Sequence, residues 1–149
     1  MNIPLNIDWQ QILLHFFNFS ILVGGLYLLW RKVITINIPA AYILTVAVIT
    51  FLFPMGGQSH LQWMLYQVLD GGLMLGAFFM ATDYVTRPIT IKGQYVFGIL
   101  LGILTGIFRI YGASAEGVSY AIIIGNLLTP LIEKYTMPHA FGRKGGLSR

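Results

Sequence analysis

From Ile12 to Trp30 the chain runs without a single Lys, Arg, Asp or Glu. The stretches Ile38 to Pro54, Leu61 to Ala81, Tyr95 to Ile110 and Val118 to Tyr135 are apolar or nearly so. An α-helix rises about 1.5 Å per residue, so about 20 such residues cross the hydrocarbon core of a bilayer. The pattern predicts an all-α, polytopic membrane bundle of about five transmembrane helices, the second the shortest. A β-barrel would need alternation, and these runs are continuous. Only 9% of the 149 residues are charged, against about 25% in soluble domains. Mean hydropathy is +0.74. This is not the composition of a soluble enzyme, and one helical unit suffices to hold it.

The few charges lie in the connections. Arg31 and Lys32 follow the first run, Arg87 and Lys92 separate the third from the fourth, and Lys134, Arg143, Lys144 and Arg149 close the chain. With five spans these all fall on one side, and Arg109 alone falls on the other. The positive-inside rule then predicts an outside N-terminus and a cytoplasmic C-terminus. Trp9, Trp30 and Trp63 sit near span ends, where interfacial anchors belong. No Lys or Arg precedes the first apolar run, so that run is expected to be a retained span and not a signal peptide. The tail 139–149 is basic and glycine-rich and reads as a solvated cytoplasmic segment.

The net charge of +4 is spread between apolar segments with no basic, aromatic-interleaved stripe, so nucleic acid is not an expected partner. The chain has no cysteine, which excludes disulfides, thiolate zinc sites and Cys-ligated iron–sulfur clusters within it. His15, His60 and His139 show no metal-ligand spacing. No catalytic triad, P-loop or dinucleotide fingerprint is visible.

Gly98, Gly102 and Gly106 repeat every four residues, as do Gly72 with Gly76 and Ala121 with Gly125. Such small-residue ridges let helices approach closely. They suit a tight bundle around a buried site, and they suit ordinary packing equally well.

Three polar features interrupt the apolar runs. Asp70-Gly71-Gly72 lies inside the third, where an ionised Asp costs about 2.5–3.5 kcal/mol and each glycine about 1 kcal/mol relative to alanine. It reads either as a broken helix lining a cavity or as a carboxylate reaching the outer interface. Phe78 to Pro88, FFMATDYVTRP, offers Thr82, Asp83 and Thr86: oxygen groups that suit a hard cation or a proton relay, or a cap on the following turn. Asn126 and Pro130 form the third. Pro130 has no N–H, so the Asn126 carbonyl loses its helical donor beside a polar amide. The arrangement serves an ion path or an interhelical hydrogen bond. Glu116 opens the fifth run, where a carboxylate favours the helix dipole.

Three strings carry a resemblance: GGLMLGAFFMATDYVTRPITIKGQYVFGILLGILTGIFRIYG (Gly71 to Gly112), EGVSYAIIIGNLLTPLIEKYT (Glu116 to Thr136) and LVGGLYLLWRKVITINIPA (Leu22 to Ala40). They resemble RnfD, a membrane component of the Rnf electron-transport complex, and, more weakly, NqrB of the sodium-pumping NADH:quinone reductase. The resemblance spans residues 21–141. Residues 1–20 depart from it, and 142–149 form the basic tail.

It implies a subunit of a bacterial inner-membrane complex that couples electron transfer between ferredoxin and nicotinamide cofactors to Na⁺ or H⁺ movement. This chain would be non-catalytic alone, with the other Rnf-type subunits and the lipid bilayer as partners. The resemblance also implies flavin mononucleotide (FMN) esterified to a threonine in full-length members, which have two membrane halves. This chain resembles the second half and lacks the Ser/Thr-Gly-Ala-Thr attachment string. It is therefore expected to bind no FMN covalently, and to be a truncated product, a fragment, half of a split gene or a remnant. Asp83 falls in the family's Ala-Thr-Asp string, which favours an ion-pathway role with Thr82 and Thr86 as partners. Asn126 ranks next, and Asp70 remains open. The alternatives are a structural assembly subunit and a small homodimeric solute carrier.

Overall fold

The computed structural model describes residues 8–55, 57, 59–69, 72–112 and 116–138. All regular structure among these residues is helical: α1 (Trp9–Trp30), α2 (Asn37–Leu52), α3 (His60–Leu69), α4 (Leu73–Met80), α5 (Ile91–Tyr111) and α6 (Gly117–Thr136). α1 and α5 are each long and apolar enough to cross a membrane, and α3 with α4 reach that length as a pair bent by 56°. α2 is apolar but has only 16 residues.

The third apolar stretch is thus two helices. Gly72 has φ 74°, a left-handed conformation in which a Cβ would clash with the backbone. Asp70 and Gly71 lie outside the described residues. From Gly76 the helix widens into a π turn, with Ala81 N–H donating to the Gly76 carbonyl at 2.7 Å. Such turns are rare and cluster at functional sites. Here it delivers the chain to Thr82 and Asp83.

The end of α1 is a Schellman motif. Val33 N–H donates to Leu28 O and Lys32 N–H to Leu29 O, both at 3.0 Å, and Lys32 takes φ 56°. A glycine normally fills that position.

The glycine ridge on α5 decides the core. A Cβ on Gly98 would meet Ala41 Cβ at 2.7 Å, and one on Gly106 would meet Ile49 Cγ2 at 2.8 Å. A Cβ on Gly102 would run into Thr45. Ala41, Thr45 and Ile49 repeat every four residues too, so matching rows interlock and α2 runs parallel to α5. On its other side α5 meets α6 running the opposite way: Gly125 abuts Phe97 and Leu101, and Gly117 abuts Phe108. Gly76 of α4 accommodates Val118 and Ile122 of α6. Tyr42, Phe97, Leu73 and Leu101 are fully buried in the resulting core. A buried polar contact crosses from α2 to α5: Tyr42 Oη and Thr105 Oγ1 stand 2.6 Å apart.

This arrangement gathers charge at one end. Arg31 and Lys32 lie just beyond α1, Arg87 lies between α4 and α5, Lys92 opens α5 and Lys134 closes α6. Arg109 lies at the opposite end, where Nη1 donates to Gln67 Oε1 at 2.9 Å and to the Gln67 carbonyl.

Candidate functional site

At the basic end the chain leaves α4 and crosses the bundle before entering α5. Thr82 is buried, and its hydroxyl donates to the Phe78 carbonyl at 2.5 Å. Asp83 is exposed. Its carboxylate accepts from Thr86 Oγ1 at 3.5 Å, its only side-chain hydrogen bond among the described residues. Its carbonyl accepts Arg87 N–H at 3.1 Å.

The strap 84–89 is fastened at three points. Arg87 Nη1 donates to Thr35 Oγ1 at 3.3 Å, in the α1–α2 connection, and its guanidinium lies 5.5 Å from the Tyr84 ring centre. Gln94 Nε2 of α5 donates to the Pro88 carbonyl at 3.2 Å. Ile89 N–H donates to Glu133 Oε1 of α6 at 3.2 Å. Thr90 then caps α5, accepting Gly93 N–H at 3.1 Å and donating to Thr136 Oγ1 at 2.9 Å. Serine and threonine oxygens favour that position because they satisfy a donor the helix leaves free.

Between the strap, α5 and α6 lies an open pocket of about 640 Å³. Its α6 wall is Asn126, Thr129, Pro130 and Glu133. Spacings of three and four put these on one helical face. Asn126 Oδ1 is buried with no hydrogen-bond partner among the described residues. The helix continues through Pro130, whose ring nitrogen offers no proton to the Asn126 carbonyl. One residue thus presents two oxygens without their usual donors. An unmatched buried acceptor costs about 1–3 kcal/mol, and a guest that donates protons or carries positive charge relieves it.

The structure brings together some of the residues singled out in the sequence. Thr86 and Asn126 line the same cavity. Asp83 sits in the same connection, and Thr82 is turned back onto its own helix. Asp70 falls outside the described residues. Gln94, Glu133, Arg87 and Thr35 were missed. Glu133 had a signal, since it follows Asn126 by seven residues on the same face. Gln94 had one as well: an amide immediately before an apolar run, which demands partners if buried. Glu116 accepts Tyr120 Oη at 3.2 Å at the start of α6. Among the described residues no three His, Cys, Asp or Glu side chains form a metal-holding group.

A sequence model of the NQR2, RnfD, RnfE family matches residues 3–142, almost the whole chain. The chain belongs to this family. It is 45% identical over 123 residues to the D subunit of the Na⁺-translocating ferredoxin:NAD⁺ oxidoreductase complex of Acetobacterium woodii, covering 83% of this chain and 36% of that protein. It is 44% identical over 126 residues to the D subunit of the proton-translocating ferredoxin:NAD⁺ oxidoreductase complex of Clostridium ljungdahlii, covering 83% and 38%. With the D subunit of the ion-translocating oxidoreductase complex of Yersinia pseudotuberculosis it shares 38% identity over 149 residues, covering 94% and 38%. The chain therefore spans little more than a third of the length of the curated relatives it matches.

Proposed function

We propose that this chain is a membrane part of an Rnf-type complex that couples electron transfer to Na⁺ or H⁺ movement, and that the pocket beside the strap lies on its ion route. The observation that carries this is the unmatched Asn126 Oδ1 beside a pocket of mixed lining at the basic end of a bundle of this family. Names of relatives supply the reaction: complexes that translocate ions and oxidise or reduce ferredoxin.

Five crossings fit the packing. α2 and α5 run parallel and α6 antiparallel to them, as alternate spans must, with α3 and α4 as one bent crossing. The basic end is then cytoplasmic, the N-terminus outside, and the membrane the bacterial inner membrane. The exposed Trp9 and Trp30 at the two ends of α1 suit interfacial positions.

On this reading Asp83 collects the cation or proton at the aqueous mouth, with Thr86 as its hydroxyl partner and Thr82 holding the end of α4. Asn126 receives the ion next. Asp83→Asn is expected to impair ion-coupled activity while the complex still assembles. Unchanged ion transport in that variant would remove Asp83 from the route. Asp70 keeps its candidacy from its place in the sequence.

The residues present do not fit a covalently attached FMN. The threonines of the cavity, Thr86 and Thr129, stand in no Gly-Ala-Thr string, and the Thr129 hydroxyl is donated to the Gly125 carbonyl at 3.3 Å.

The test is to purify the tagged chain from its host in mild detergent and identify its companions by mass spectrometry and flavin fluorescence. Recovery of other Rnf-type subunits with flavin on them is expected. Recovery of the chain alone and colourless would contradict membership in a redox complex.

A further inference from the structure

Gln94 is a buried polar side chain, 5% exposed, in the first turn of a membrane helix. Its Oε1 accepts Thr35 Oγ1 at 3.2 Å and Asn37 Nδ2 at 3.1 Å, and its Nε2 donates to the Pro88 carbonyl at 3.2 Å. One amide therefore joins the α1–α2 connection, the start of α2 and the strap. Thr35 Oγ1 also accepts Arg87 Nη1, so the strap is tied to Gln94 a second time, through Thr35. Pro88 is the buried residue of the strap, whereas Tyr84 and Val85 are 84% and 85% exposed. Proline has no N–H, so its carbonyl is its sole backbone polar group, and Gln94 holds it. Two ties of the strap do not bond to Gln94 directly: Arg87 to Thr35, and Ile89 N–H to Glu133.

We propose that the Gln94 amide is the positioning residue that holds the strap 84–89 over the cavity and so governs access to Asn126. The amide is required because it accepts and donates from one place. Glutamate keeps the acceptor and loses the donor to Pro88. Leucine loses both. The proposal deepens the reading of this cavity as part of an ion route and rests on it for its functional meaning.

The absence of cysteine from the chain permits a direct test. Thr129→Cys puts a reporter thiol inside the cavity, and Ala121→Cys puts one on the same helix in the fully buried core. Each is labelled with a charged, water-soluble maleimide in open membrane sheets, which expose both faces. Gln94→Leu is expected to raise labelling at the cavity reporter about tenfold, the effect of removing about one net buried hydrogen bond from the closed state. The core reporter should not change. Gln94→Glu, nearly the same shape, should give a smaller rise. It also serves as the readout if the leucine variant does not accumulate. No rise at the cavity reporter in Gln94→Glu, or an equal rise at both reporters, would overturn the proposal. Redox-driven ion uptake by the same membranes separates the two ideas. Faster cavity labelling with unaltered ion coupling keeps the positioning role and refutes the ion route.

Discussion

α1 and α2 are both apolar helices, yet they sit in the molecule quite differently. α2 buries Ile38, Pro39, Ala41, Tyr42, Val46 and Thr50 within 16 residues. α1 buries only Ile21 and Gly25 in 22. It touches the bundle where Gly25 receives the Phe78 ring and Ile21 packs with Met74, and its first half presents Leu13, Phe16 and Phe17 outward. Hydropathy does not separate these helices. The partner does: α2 faces three successive glycines of α5, one per turn, while α1 has a single Gly-Gly step. In lipid, apolar surface alone gives no drive for helices to associate. Close approach and hydrogen bonds provide it, and α2 has both.

The sharpest way to break this comparison is to fill the ridge. Gly102→Leu should prevent α2 from seating against α5 and abolish accumulation of folded protein, followed by detergent-resistant expression. Gly102→Ala should destabilise by about 1–3 kcal/mol, the usual cost of overpacking, in a denaturant titration in mixed micelles. The matched change on α1, Gly24→Ala, meets only Phe79 Cζ at 3.5 Å, an ordinary contact. It should be neutral or slightly stabilising, since alanine gains up to about 1 kcal/mol over glycine in a helix. Equal damage from both alanines would erase the distinction between the helices.

The buried hydroxyl pair comes next. Tyr42→Phe leaves Thr105 Oγ1 without its partner across the α2–α5 interface. A double-mutant cycle with Thr105→Val should report a coupling of about 0.5–2 kcal/mol. Zero coupling would mean that the buried hydroxyl pair adds nothing to the packing around it. At the end of α1, Lys32→Gly should stabilise by about 1 kcal/mol, because glycine takes the left-handed conformation without a Cβ clash. A loss there would mean that the lysine side chain matters more than its backbone. The smallest effect is expected from Phe16→Ala, exposed on α1: within about 0.5 kcal/mol in the isolated chain. A large loss would reveal a partner for α1 inside this chain.

Much of the fold was legible in the sequence because apolar length and small-residue spacing are local features. Among the described residues the five apolar runs are helical, the third as two helices, and the ridge Gly98, Gly102, Gly106 packs as its spacing implied. The bend was half legible. Asp70-Gly71-Gly72 allowed a broken helix, and Gly72, the one of the three that is described, is left-handed. The π turn left no trace, since nothing in Gly-Ala-Phe-Phe-Met distinguishes a five-residue from a four-residue hydrogen-bond step. The site was legible in pieces. Asn126 stood out because Pro130 disarms its carbonyl four residues on. Gln94, Thr35 and Glu133 did not, because their meaning lies in distant partners: Glu133 is 44 positions from Ile89, and Gln94 is 59 from Thr35. Only the seating of α2 and α6 on α5 brings those groups together.

On this reading the cavity face of α6 serves ion movement, while its other face serves packing and lipid. The most direct measurement is redox-driven ion uptake by membrane vesicles from a host whose only copy carries Asn126→Leu, beside a control with Leu127→Ala on the exposed side. The complex is expected to assemble in both. Asn126→Leu should lose ion uptake while electron transfer is uncoupled or slowed, and the control should be normal. Full ion uptake in an assembled Asn126→Leu complex would contradict a route through this cavity.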